Sequence, residues 1–510
     1  MLRSLYPILL LCSILPHPSL ANPNQFPFQL SPPPSRDSLF KLSFSSRKAL
    51  SEALDQQEQL GNDVWYSGLN STSQKWELIL TQQPHNSLSS SLSLSPDHST
   101  RILIPSISSF LTQPSQHPSH LNLLSTNSLK NLTHTVDSLD STIHDTYHPY
   151  EGLQEVLKTF ERRWGSDWIK RESLGETFEG RRIEVIKVSD YRGESPSSWR
   201  VTSTVDEDED EEKLELVGGK KKKNREKETK DKIGIVVYGA QHAREWITTS
   251  TVLYLVHSLL VNSGSHTIGA EGGDKLTREL LKRVEFTFIP VSNPDGYAYT
   301  WTSPSHRLWR KNRQPPSSSS PSDPRCVGID LNKNWNRSFP YPSALTSNEC
   351  SDSYPGNEPF EAIETSLLST YLLDSSSKEG NRTRVRAVLD LHSFGEQLLY
   401  PYSADCSNSP PTSENLFEAL LSANKALKSV HGRNWKVGES CKVGIGGKGE
   451  GLDWAYEVAK IPWSFSAQLR DGGIFGFLLP PREIRPSGEE FVSALKALSK
   501  FIIEKEGGKR

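Results

Sequence analysis

No sign of charge dominates this chain: 58 Lys and Arg stand against 61 Asp and Glu in 510 residues, a formal net charge of −3. A global attraction to nucleic acid is thereby excluded. Long apolar runs are missing too. Beyond the N-terminal segment no stretch reaches the roughly 20 apolar residues that a membrane helix needs, so no membrane span is expected. Cysteine is scarce at five residues, and setting aside Cys12 leaves an even four. Residues 1–21 join a basic start at Arg3 to an apolar run, Leu5 to Leu15 broken by Pro7, and a small-residue end at Ser19-Leu20-Ala21. This is the pattern of a secretory signal peptide. Sequons at Asn70, Asn131, Asn336 and Asn381 agree with secretion.

What is present centres on Ile233 to Trp246, I-G-I-V-V-Y-G-A-Q-H-A-R-E-W. The β-branched run Ile233 to Tyr238 predicts a buried strand, and Gly239 and Ala240 turn the chain. His242 and Glu245 then precede a helical pattern. An imidazole and a carboxylate on a strand-to-helix turn can face the crevice where open α/β sheets place ligands. Catalytic zinc takes three N/O ligands and keeps one position open. A bare H-x-x-E more often reads as a cap beside a surface histidine, so a third ligand is required. His392, directly after the strand-like run Val385 to Leu391, is the candidate.

Five blocks occur in order: G-A-Q-H-A-R-E-W, R-L-W-R-K-N-R (Arg307 to Arg313), G-I-D-L-N-K-N-W (Gly328 to Trp335), D-L-H-S-F (Asp390 to Phe394) and L-R-D-G-G-I-F-G-F-L-L-P (Leu469 to Pro480). Over roughly Thr146 to Phe501 the chain resembles the zinc metallocarboxypeptidases of the carboxypeptidase A/B type. The resemblance implies an α/β domain with a mixed, mostly parallel eight-stranded sheet flanked by helices. It implies one Zn²⁺ per chain on His242, Glu245 and His392, with Asp330 behind a ligand histidine. Asn332 and Lys333 match the pair that grips a peptide's terminal carboxylate. Arg310 matches the residue that polarises the scissile carbonyl, and Arg244 and Arg307 match secondary peptide contacts. Ser393 and Phe394 match a subsite wall, and Leu452 the position that reads the terminal side chain, where an apolar residue points to apolar preference. Cys326 and Cys350 match the family disulfide. Cys406 and Cys441 remain, and an oxidising compartment favours pairing them.

At 510 residues two domains are expected. Residues 22–145 carry strand-like clusters at Val64-Trp65-Tyr66, Trp76 to Leu80 and Arg101 to Ile104, with a Ser-rich linker at Ser87 to Ser95. They read as a small α+β domain in the place of the resembling family's inhibitory prosegment. Residues 146–505 form the carboxypeptidase-like domain. Within it, an acidic run from Asp206 followed by Lys220 to Lys223 and mixed charge to Lys232 reads as a disordered insertion, 206–232. Pro315 to Pro324 reads as a further loop.

Three positions depart from the family pattern. Lys333 replaces an arginine, keeping the charge but losing the two-pronged fork. Gln468 stands before Leu469-Arg470-Asp471, where the family has the glutamate that activates the attacking water. Glutamine can hydrogen-bond but cannot accept a proton. The loop Gly444 to Gly451 holds Ile445 and no tyrosine, where the family carries a mobile one. Glu396, Glu450 and Glu457 are the carboxylates nearest in sequence that could substitute as base. Among relatives of the family, the set of departures is most similar to the fungal inactive metallocarboxypeptidase-like proteins, which implies cell-wall organisation and a secreted, vacuolar or cell-wall location. Two functions compete: a zinc-holding pseudoenzyme that binds peptide or protein C-termini as a monomer, or a working secreted carboxypeptidase with a substitute base, removing apolar C-terminal residues.

Overall fold

The computed structural model describes residues 38–59, 63–69, 75–81, 98–104, 106–107, 136–192, 232–264, 273–316, 326–339, 348–377, 383–444 and 446–507. The signal segment, the Ser-rich linker, Ile445, the sequons at Asn70, Asn131 and Asn381, and the charged insertion up to residue 231 lie outside the described residues. So does most of the Pro315 to Pro324 loop. Asn336 lies within them and is exposed.

Alternation builds the N-terminal unit. Strands β1 (Leu39–Phe44), β2 (Asp63–Leu69), β3 (Trp76–Thr81) and β4 (His98–Ile104) form an antiparallel sheet in the order β2-β3-β1-β4. Successive strand residues face opposite sides. Leu78 and Leu80 of β3 therefore pack under Leu50 and Ala53 of the helix Arg47–Gln59. Ile79 between them, with Leu39, Trp65 and Ile104, points the other way and meets Phe394, Phe477 and Leu478 of the larger unit.

The larger unit holds an eight-stranded sheet, with β5 (Ile169–Glu176), β6 (Arg182–Val188), β7 (Lys232–Gly239), β8 (Val284–Ile289), β9 (Thr383–His392), β10 (Gln397–Tyr400), β11 (Lys436–Glu439) and β12 (Trp463–Gln468). Their order is β11-β10-β12-β9-β7-β8-β6-β5. The four pairings β12–β9, β9–β7, β7–β8 and β10–β11 are parallel and the other three antiparallel. The mixed, mostly parallel sheet expected from the sequence is present. Central β7 is covered on both faces, which is why it reads as a continuous apolar run. Ile235 and Val237 meet the helices Tyr150–Trp164, Trp246–Val261, Ser413–His431 and Ile484–Gly507, while Val236 and Tyr238 meet Ile363–Ser376 and Gly451–Glu457. Val136 and Ile143 join the first of these cores, so the larger unit takes in residues just before Thr146.

Parallel alignment positions the site. β7, β9 and β12 end at the same sheet edge, with Gly239 opposite Leu391 and Gln468 opposite His392. Beyond β12, Arg470 locks this edge to the C-terminal helix. Its Nε and Nη2 donate to the two oxygens of Glu490 at 2.8 and 2.6 Å, with both side chains buried. Arg470 Nη1 also donates to Glu483 Oε2 at 2.6 Å, so removing Glu490 leaves one carboxylate on the guanidinium and should cost less than the roughly 3–5 kcal/mol of a fully stranded charge. Glu490→Ala is expected to lower unfolding stability by about 1–3 kcal/mol, the cost of losing hydrogen bonds to a charged group, read from denaturant titration.

Glu364 supplies a pH test. Burial raises its carboxyl to about 7, against the opposing hydrogen bond from Asn312 Nδ2 at 2.8 Å. The folded protein therefore holds a proton there that the unfolded chain releases near pH 4.5. The stability this contributes is full below pH 4.5 and is lost as pH rises through about 7. Glu364→Gln is expected to remove that slope and to recover on the order of 1–3 kcal/mol at pH 8, measured as stability against pH.

Candidate metal centre and its groove

A strained turn delivers the first two ligand candidates. Ala240 adopts a left-handed φ of 54° after Gly239, and its N–H donates to Thr248 Oγ1 at 2.9 Å. A side chain on Gly239 would press against Thr248, so the glycine lets the turn close on the helix Trp246–Val261. His242 and Glu245 are thereby aimed inward, 4% and 2% exposed. His392, at the end of β9, joins them.

These three residues bring ligand atoms within 4.8 Å of one another, all buried. His242 Nδ1 lies 2.7 Å from Glu245 Oε1 and His392 Nδ1 lies 3.2 Å from Glu245 Oε2. Both rings thus turn Nδ1 toward one point, and each Nε2 is held from behind. Asp330 Oδ1 lies 3.2 Å from His242 Nε2, and Asp390 Oδ2 lies 2.9 Å from His392 Nε2. A carboxylate on the far nitrogen fixes the tautomer and raises ligand basicity. Two imidazoles and a carboxylate with this backing fit Zn²⁺.

Asp390 is the partner that the sequence reading missed. Its signal was the spacing: in D-L-H on a strand, the first and third residues share a face. Gln241 Nε2 also donates to Asp390 Oδ2, at 2.7 Å.

The charges confirm the coupling. Burial alone would raise Glu245, yet the two imidazoles hold it well below the usual carboxylate range. Burial would lower His392, but Asp390 and Glu245 raise it well above an ordinary histidine. Asp330 is likewise held far down against burial, chiefly by Arg310 and His242.

Of the other predicted residues, Arg310, Asn332 and Ser393 reach the cluster or its backing. Arg310 donates to Asp330 Oδ2 through Nε and Nη2 at 3.1 and 2.9 Å. Asn332 approaches His392 Nε2 at 3.4 Å, and Lys333 lies beside Glu450. Ser393 N donates to Glu245 Oε2 at 3.1 Å. Phe394 packs edge-on against Phe477, and Leu452 is buried in the short helix Gly451–Glu457. Arg307 is buried on the Trp246 face, 3.7 Å from its centroid, and donates to the carbonyls of Arg244 and Phe477. Burial lowers it to about 10.

Arg244 faces the N-terminal unit. Its Nη1 donates to Asp63 Oδ2 at 2.7 Å, and its guanidinium lies over Phe477. Trp65 sits against the same ring, with centroids 5.1 Å apart. The small sheet therefore engages residues of the groove wall with one ion pair and an apolar cluster.

Gln468 ends β12 in register with His392 and is partly exposed. The three alternative carboxylates are engaged elsewhere: Glu396 with Arg433, Glu450 with Lys333 and Glu457 with Arg337. Cys326 pairs with Cys350 and Cys406 with Cys441.

A mixed sheet with a buried His-Glu-His cluster at its parallel edge defines a metallocarboxypeptidase-like protein. The zinc carboxypeptidase model of the Peptidase M14 family matches residues 154–494, and the chain belongs to that family. It is 36% identical over 371 residues to the inactive metallocarboxypeptidase ECM14 of Saccharomyces cerevisiae, covering 71% of this chain and 73% of that protein. Identity to the protein of the same name from Paracoccidioides brasiliensis strain Pb18 is 31% over 391 residues, covering 73% of this chain and 57% of the relative. This chain thus spans little more than half the length of that relative. Among solved structures, thrombin activatable fibrinolysis inhibitor superposes with a TM-score of 0.65 at 22% identity, covering 92% of this chain and 100% of that one. Carboxypeptidase A from Helicoverpa armigera gives 0.67 at 20% identity, covering 92% and 98%. At these identities the likeness speaks for the fold alone.

Two outcomes follow for the centre. His392→Ala is expected to lose most of the zinc measured by metal analysis, and unchanged content would remove His392 from the site. Asp390→Asn, which keeps a hydrogen-bonding group but not the charge, should weaken zinc about 10–100-fold in a chelator competition. For the N-terminal unit, Asp63→Ala removes the nearer of two carboxylates beside Arg244, leaving Asp352 at 3.9 Å. Faster amide exchange across Trp76–Thr81 is the expected sign of loosened docking.

Proposed function

We propose that this is a secreted, zinc-holding carboxypeptidase homologue that does not hydrolyse peptides and acts by binding peptide C-termini. The single observation that carries the reading is Gln468 at the end of β12, beside His392. When bound, zinc supplies Lewis-acid polarisation of a carbonyl oxygen. Arg310, on the same edge, is the group to hold developing negative charge. Gln468 can orient a water through hydrogen bonds but has no lone-pair site that takes a proton at neutral pH. Loss of a positioned general base costs about 10²–10⁴-fold. The pairing of Glu396, Glu450 and Glu457 with cations weakens the rival reading of a substitute base.

The signal-like N terminus, the exposed sequon at Asn336 and the two disulfides support secretion. A monomer working in cell-wall organisation, in the vacuole or outside the cell, rests on the resemblance to the fungal inactive group. The N-terminal unit, by its contacts with Arg244 and Phe394, is read as a prosegment that covers the groove.

Gln468→Glu tests the reading. The two side chains differ little in volume, so with the N-terminal unit cleaved from both proteins the variant should gain partial hydrolysis of peptides ending in apolar residues, while the wild type stays silent. Wild-type turnover in the ordinary range of about 1–10³ per second would overturn the proposal.

A further inference from the structure

The two residues assigned to a peptide's terminal carboxylate, Asn332 and Lys333, are already engaged by one segment of the chain itself. Lys333 Nζ lies 3.2 Å from Glu450 Oε1, with the two side chains 20% and 14% exposed. Asn332 Oδ1 accepts the Gly451 N–H at 3.2 Å, and Trp335 N donates to Gly449 O at 3.1 Å. The contact is closed by glycine. A side chain on Gly447 would collide with both Lys333 Nζ and Glu450 Oε1, and one on Gly449, whose φ is +72°, would collide with the Lys333 backbone. The segment therefore lies directly on the ion pair.

The chemistry of this pair is that of the ligand the clamp is built for: one carboxylate against one cation. Lysine offers a compact point charge, without a second planar edge to receive another carboxylate in the same geometry. Largely desolvated, its charge is offset by Glu450 before any peptide arrives. A free C-terminus then gains little at Lys333 unless it displaces Glu450, whereas an amidated end loses little by comparison.

We propose that Glu450 is an internal carboxylate ligand of the clamp and sets the specificity of the groove, cancelling its preference for free C-termini until Glu450 is displaced. The proposal rests on reading the groove as a peptide-binding site and names how that site is regulated.

The probes are N-acetyl-leucine and N-acetyl-leucinamide, small carboxylate and amide ends, titrated by calorimetry into the zinc-loaded full chain. Wild type should separate acid from amide by less than about twofold. Glu450→Gln, which leaves the shape but removes the competing charge, should favour the acid by about 10-fold or more, the scale of one charge-assisted hydrogen bond. Adding Lys333→Gln to that variant should abolish the preference. Glu450→Asp, with its carboxylate drawn back by one methylene, should fall between wild type and Gln and serves if the Gln variant is unstable. A tenfold acid preference in wild type overturns the proposal. So does the absence of any gain in a Glu450→Gln protein with wild-type zinc content and unfolding temperature, or failure of every variant to bind either probe. Peptide hydrolysis by wild type would instead remove the inactive reading and leave these affinity ratios untouched.

Discussion

A carboxylate buried at the edge of a sheet must be compensated, and the arrangement around Glu245 follows from that constraint. Isolated in a low-dielectric interior, the charge would be expelled or neutralised. Here two imidazoles face it, and each is backed by a further carboxylate, Asp330 or Asp390. Those carboxylates need partners in turn, and Arg310 and Gln241 provide them. The result is a layered charge network centred on Glu245. Its members come from turns and strands far apart in the chain, so the parallel alignment of β7, β9 and β12 and the network specify each other.

If Gln468 stands at the general-base position, as the resemblance implies, it separates two properties: holding a metal and moving a proton. Holding a metal requires ligands, their backing and burial, and these are intact. Moving a proton requires a group with a suitable pKa at one place, and an amide has none. A bound ion stabilises only the state that binds it, so zinc would hold the turn at Ala240 and the end of β9 in their folded positions whether or not chemistry follows.

Residues assigned to the proposed peptide groove are engaged from two directions. The N-terminal sheet places Asp63 on Arg244 and an apolar cluster on Phe394 and Phe477, while Glu450 meets Lys333 from within. Both contacts match an acid of the chain to a cation that would otherwise face a peptide. A ligand of the proposed groove has to exceed these internal contacts.

Much of this was legible in the residues. The apolar run of β7, the turn glycine and the H-x-x-E that follows place two ligand candidates locally, because strand and turn chemistry act over a few residues. The ordered blocks supplied the third ligand, Asp330 and the sheet. Gln468 and Lys333 were visible as identities, and their chemistry follows from the side chains alone. The tertiary structure decided the partners. That Asp63 reaches Arg244 across 181 residues of chain, and that Glu450 meets Lys333 across 117, left no pattern in sequence. A charged residue carries no local mark of the opposite charge it will meet. Only the packing of distant segments brings a carboxylate within 3 or 4 Å of its cation, and there burial turns an ordinary glutamate or aspartate into a determinant of the site.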